Sequence, residues 1–237
     1  MVCDALDYYA FKRKPEIREN CVRVYYDEGH HIDMPVYRTE NPDTKGTLFE
    51  IASTDWKKSN PEAVKKWFQN QLKAKHSSRE SEGNHLLRRL LRLLKNFSIS
   101  RPSWNMPSGF ILTVLTNEQY FDYDDRDDRA FFKLIKAIKS RLDVSLVVWH
   151  PVLPETITKT ETDANMKELR ERLEWAITEL KITETTDSKK EALKAWRKIF
   201  NTDYFDSDIE GYIVDSFVVS TNTPTEPVHK AGGGRFG

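Results

Sequence analysis

The residues best suited to chemistry lie in one short stretch, His30-His31-Ile32-Asp33-Met34-Pro35-Val36-Tyr37. Read as a β-strand, its side chains alternate between two faces. Ile32, Met34 and Val36 then form an apolar set for a core, while His31, Asp33 and Tyr37 project from the other face. Cys21-Val22-Arg23-Val24-Tyr25-Tyr26 reads as the partner strand, with Asp27-Glu28-Gly29 as the turn between them. Val22 and Val24 join the core side, and Arg23 falls on the side of Asp33. A carboxylate and a guanidinium fixed on a rigid hairpin suit the handling of phosphate and of a hard metal ion. The plainer account of Arg23 is a cross-strand charge partner of Asp33 or Glu28, worth under about 1 kcal/mol if exposed.

A second set lies downstream. Leucines at helical spacing from Leu86 to Leu94 give a wide apolar face, and Arg88, Arg92 and Lys95 form a basic stripe beside it. On composition alone that stripe is the wet face of an amphipathic helix. Ser108 opens a further helix, where free backbone N–H groups and the dipole favour anions. Other constellations carry less. His30 and His31 beside Asp33 suggest zinc, but no further His or Cys stands at ligand spacing. Asp122-Tyr123-Asp124-Asp125-Arg126-Asp127-Asp128 resembles a calcium loop but lacks the central Gly and terminal Glu, and reads as an acidic lead into a helix. Asp163 reads equally as a helix cap or a nucleotide contact.

These residues need elements to hold them. A short helix is expected over 5–11, then the hairpin, then a strand over 47–51. Asn60-Pro61-Glu62 is a strong helix start, with Val64, Trp67, Phe68 and Leu72 on one face up to about residue 75. Further helices are expected over 86–97, 108–121, 127–142, 163–180 and 187–201, with an extended, Pro-bounded stretch over 144–154. The fold class is α+β: a small sheet followed by an all-helical region. The expected domains are 1–58, 59–220 and a Thr-, Pro- and Gly-rich tail over 221–237.

Composition bounds the function. The chain has 237 residues and a formal net charge of +0, against a protein whose main task is coating nucleic acid. No apolar run approaches a membrane span. With only two Cys, Cys3 and Cys21, a reduced, cytoplasmic setting is expected.

The hairpin resembles the third-carboxylate strand of the cGAS/DncV-like nucleotidyltransferases of bacterial anti-phage systems. The family pattern is Cys-x-Arg, a short turn, then His-x-Asp-x-Pro-x-Tyr, matched here by Cys21, Arg23, His31, Asp33, Pro35 and Tyr37. The resemblance implies a partial polymerase-β-like nucleotidyltransferase sheet followed by an oligoadenylate-synthetase-like helical domain. It implies synthesis of a cyclic di- or oligonucleotide from nucleoside triphosphates, ATP and GTP, with Mg²⁺ or Mn²⁺. By the same resemblance Asp33 is a catalytic metal ligand, and Arg23, Lys95 and Ser108 contact nucleotide. The family's Gly-Ser loop and Asp-x-Asp strand do not occur upstream of Asp33, and Asp4 and Asp7 are poor substitutes. The expectation is therefore a family member without its N-terminal catalytic segment, inactive as it stands, through a truncated gene, a late start or a disabled paralogue. The alternative is a catalytically disabled nucleotide-binding or protein-docking module. The Gly-rich end implies one more expectation: conjugation through Gly237 by a ubiquitin-activating-like enzyme.

Overall fold

The computed structural model describes residues 2–7, 11–39, 49–76, 85–121, 126–158, 160 and 162–211. The chain divides into two compact units, one of Met1–Ala74 with Pro151–Leu153, the other of Lys75–His150 and Pro154–Gly237. The first unit extends beyond residue 58, so the first long helix groups with the sheets.

In the first unit a short helix α1 (Val2–Ala5) precedes a three-stranded antiparallel sheet in the order β1-β2-β3, formed by β1 (Arg13–Ile17), β2 (Val22–Tyr25) and β3 (His31–Met34). The helix expected over 5–11 is thus displaced towards the N-terminus, and β1 is a strand that periodicity does not announce. Its Pro15 lacks an N–H, which is tolerable because β1 is an edge strand whose register slips between Arg13 and Glu16. The β2–β3 turn follows expectation. Gly29 N–H donates to the Tyr26 carbonyl at 3.1 Å and Tyr26 N–H to the His30 carbonyl at 3.0 Å. Gly29 takes φ 86°, the left-handed step that closes such a three-residue loop and that glycine adopts without strain.

The strand expected to run unbroken from His30 to Tyr37 instead stops at Met34. Pro35 cannot donate to a ladder, and the chain passes into a second antiparallel sheet of β4 (Tyr37–Thr39), β5 (Phe49–Ile51) and β6 (Lys57–Lys58). Val22 and Val24 are buried as expected, but Ile32, on the same face as Val24, is 46% exposed. The apolar set of β3 is therefore only partly covered. Helix α2 (Pro61–Ala74) starts as its sequence signals, with Asn60 Oδ1 accepting from Ala63 N–H at 2.8 Å.

The second unit is helical: α3 (Leu86–Ile99), α4 (Gly109–Glu118), α5 (Asp127–Val144), α6 (Ala164–Leu180), a 3₁₀ turn at Lys181–Glu184 and α7 (Lys189–Phe200). Its core is the leucine face of α3 packed on Phe131, Leu134, Ile135 and Ile138 of α5, with Met166, Leu169 and Leu173 of α6 packed on α5 in turn, all buried. Asp163 caps α6, its Oδ1 accepting from Asn165 N–H at 3.0 Å and Met166 N–H at 3.2 Å. Asn201, in the left-handed region, closes α7.

The segment between α3 and α4 is pinned by aromatic and cationic contacts. The Arg101 guanidinium lies 4.6 Å from the Trp104 ring centre and 4.8 Å from that of Trp175. It donates to the carbonyls of Ile199 at 3.0 Å and Lys198 at 2.5 Å, in the last turn of α7. Those carbonyls have no intrahelical donor, so Arg101 closes the end of α7 from a distant part of the chain. Among the described residues no helix is long and apolar enough to cross a membrane.

Candidate functional site

The hairpin places its two charged residues as their spacing requires. Arg23 and Asp33 face each other directly across β2 and β3. Arg23 Nε donates to Asp33 Oδ1 at 2.6 Å and Nη2 to Oδ2 at 2.8 Å, a bidentate fork. Hydrogen bonding and charge from Arg23 hold the Asp33 carboxyl below the usual carboxylate range, with His31 and Cys21 adding less. Burial, with Asp33 next to it, pushes the Cys21 thiol up. The same sheet face continues the network: Tyr25 hydroxyl donates to Glu16 at 2.6 Å and accepts from Arg18 at 3.3 Å, and Arg13 stacks 3.5 Å over the Tyr25 ring. The face thus carries three arginines, Arg13, Arg18 and Arg23, around two carboxylates.

The second set forms at the amino end of α4. Ser108 is its N-cap, the hydroxyl oxygen accepting from Ile111 N–H at 3.4 Å. That leaves the hydroxyl proton to donate outward. Lys95 lies over the adjacent first residue of the helix: a methyl group built on Gly109 would stand 3.3 Å from Lys95 Cε and 3.6 Å from Nζ. Lys95 and Gly109 line a cleft of about 500 Å³ with Arg101, Trp104 and Met106. Lys95 thus brings an ammonium against the first turn of α4, whose free N–H groups are also donors, and an anion is the ligand that suits them.

The rest of the basic stripe stays outside this arrangement as described. Arg88 and Arg92 are exposed. Arg89, which the stripe omits, forks onto Asp127 at 2.8 to 3.1 Å and ties α3 to the first turn of α5. Asp128 is bound by Arg126 at 2.6 Å, so the described part of the acidic run braces a helix start, while residues 122–125 lie outside the described residues. His30 stacks on Tyr26 with ring centres 4.8 Å apart.

Metal binding was tested against the donor set. Among the described residues no group of three or more His, Cys, Asp or Glu side chains could hold an ion, and both Asp33 oxygens accept from Arg23. These residues alone do not fit a catalytic Mg²⁺ pair. Arg23 and Asp33 are brought together in the first unit; in the second, Lys95 lies against Gly109, the residue after Ser108. Gly237 lies outside the described residues. Sequence reasoning missed Gly109; its signal is a glycine directly after a helix cap, where no turn calls for one.

Comparison with known proteins agrees with the hairpin. Residues 1–37 match the family model "Cyclic GMP-AMP synthase DncV-like, nucleotidyltransferase domain". Solved structures of Vibrio cholerae DncV share the fold. The form bound to 3′-deoxy ATP superposes with a TM-score of 0.69 at 21% identity, over 88% of this chain and 55% of that one. The cyclic AMP-GMP synthase in complex with its linear pppA-pG intermediate gives 0.68 at 19%, over 86% and 56%. The complex with nonhydrolyzable GTP gives 0.68 at 19%, over 88% and 56%. The resemblance to cGAS/DncV-like nucleotidyltransferases and the α+β fold class are borne out. The chain spans just over half the length of the DncV chains it matches.

Proposed function

We propose that this chain is the third-carboxylate and helical portion of a DncV-like nucleotidyltransferase that makes a cyclic di- or oligonucleotide from ATP and GTP for anti-phage signalling. One observation carries the reading: Asp33 and Arg23 sit opposite each other on the hairpin where the match to the family model falls. Donor geometry supports the phosphate end of the reading. In the helical unit Lys95 and the Ser108 hydroxyl, with the N–H groups of the first turn of α4, hold the triphosphate, and in the sheet unit Arg23 is a nucleotide contact. Asp33, held ionised chiefly by Arg23, would serve as one ligand of a metal set. That set needs carboxylates beyond Asp33, and Mg²⁺ supplies charge neutralisation at the transferring phosphate only when such a set is complete.

Synthesis is the test. The 237 residues incubated with labelled ATP, GTP and Mg²⁺ give no cyclic product. A chimaera carrying the Gly-Ser and Asp-x-Asp segment of DncV ahead of them gives one, and Asp33→Asn abolishes it without loss of folding. Product from the unmodified chain overturns this account of the metal set, and an active Asp33→Asn chimaera removes Asp33 from the mechanism. The bidentate engagement of Asp33 by Arg23 favours a second reading, a nucleotide-binding module without turnover. That reading is selected if the chimaera binds triphosphate and makes nothing.

A further inference from the structure

Glycine is a poorer helix former than alanine, most so in the interior, and one in a first turn that makes no tight turn still calls for a reason. Gly109 is the first residue of α4, directly after the Ser108 cap. Its backbone gives none: φ lies outside the left-handed region, unlike that of Gly29, and any L-residue fits. The residue is exposed, so no packed core excludes a side chain. What a side chain would meet first is Lys95. The three nearest atoms to a built Cβ are Lys95 Cε at 3.3 Å, Nζ at 3.6 Å and Cδ at 3.9 Å.

We infer that Gly109 is a positioning residue for Lys95: its missing side chain lets the Lys95 stem lie across the first turn of α4. The ammonium, the Ser108 hydroxyl and the helix N–H groups then form one seat for the phosphate chain of a nucleoside triphosphate. The inference rests on the reading of Lys95 as a phosphate ligand given above and adds what holds it there. A bare ammonium on four methylenes is a mobile donor, and placing it in advance removes part of the ordering cost of binding. The arrangement has an unfavourable side in the free protein, because a cation beside a helix N-terminus opposes the dipole. An anion between them reverses that sign, so the seat is matched to a bound phosphate rather than to the empty state.

The size of the substituent grades the effect. At 109 an alanine methyl touches Lys95 at the edge of ordinary contact, and the flexible stem yields by a few tenths of an ångström. A valine carries two more methyls, one bond further out, into the volume that the Lys95 stem fills. Lys95 must then leave the helix end.

The test uses the 237-residue chain, calorimetric titration with a non-hydrolysable ATP analogue and Mg²⁺, and thermal melts of the same samples. Lys95→Ala weakens binding by roughly 10–100-fold, the scale of one charge-assisted hydrogen bond. Gly109→Val weakens it about tenfold and Gly109→Ala two- to threefold, while Gly109→Ala melts no lower than the parent because alanine is the better helix former. Affinity and stability moving in opposite directions is a result that a merely structural glycine does not produce. Should Lys95→Ala bind like the parent, the phosphate reading of Lys95 itself falls. Should Lys95→Ala weaken binding while Gly109→Ala and Gly109→Val bind like the parent, only the positioning role falls. If Gly109→Val does not fold, Gly109→Ala decides: parental affinity overturns the inference.

Discussion

Truncating Arg101 tests how the helical unit is closed. Arg101→Met keeps the aliphatic stem against Trp104 and Trp175 but removes the guanidinium that lies 4.6 and 4.8 Å from their ring centres. Each such contact is worth about 0.5–1 kcal/mol where solvent reaches it. The two bonds to the Ile199 and Lys198 carbonyls are charge-assisted, and such bonds contribute about 1.5–3 kcal/mol when they replace water. Against these stand the burial of the cation and its repulsion from Arg172, which together depress the Arg101 pKa, and screening at the open side of the site. The net expectation is a loss of about 2–3 kcal/mol, which for a chain of this size lowers the melting temperature by roughly 4–12 °C. Arg101→Lys should fall between, since an ammonium keeps the charge and donors but lacks the planar guanidinium that lies over both rings. Near-ultraviolet circular dichroism follows the melt directly, because Trp104 and Trp175 form the packed cluster. A loss below about 0.5 kcal/mol would refute the reasoning and reduce Arg101 to a surface residue.

Two further expectations follow from caps and burial. Asp163→Ala removes the acceptor for two N–H groups of α6 and should cost about 0.5–2 kcal/mol, with Asp163→Ser recovering most of it, measured by urea titration. Burial pushes the His150 pKa down, with Glu155 opposing more weakly. The unfolded chain then binds the proton more readily than the folded one, so stability is lost as pH falls through and below about 6.5, the unperturbed value. His150→Phe, which keeps the ring contact with Phe110, should flatten the stability profile between pH 5 and 7 relative to the parent. An unchanged difference between the two profiles across that range would exclude His150 as its source.

The helical unit was legible because its signals are local. Leucine periodicity located α3, Asp163 marked α6, and Ser108 stood at the start of α4 as its type suggests. The hairpin register was legible too, since alternation and a glycine turn fix which residues face each other. Non-local relations were not. Arg101 closes α7 across a separation of 97 residues, and Arg89 meets Asp127 across 38, with no periodic signal to connect either pair. β1 was hidden because Arg13-Lys14-Pro15-Glu16-Ile17 lacks alternation and contains a proline. The break after Met34 was written in Pro35 but outweighed by the apolar alternation around it.

The distribution of the core bears on how each of the two units breathes. Among the described residues of the sheet unit, the buried apolar side chains are Val22, Val24 and Leu72, whereas α3, α5 and α6 of the helical unit bury nearly all of their inward faces. Opening free energies scale with such burial, so amide protons of β2 and β3 should exchange with deuterium through small local openings while those of α3 and α5 wait for global unfolding. Lys95 is thereby carried on slow-exchanging backbone, and Asp33 on fast-exchanging backbone. The proposed phosphate contact is thereby carried by the firmer unit and the proposed carboxylate by the more compliant one, whose β3 keeps Ile32 only half covered.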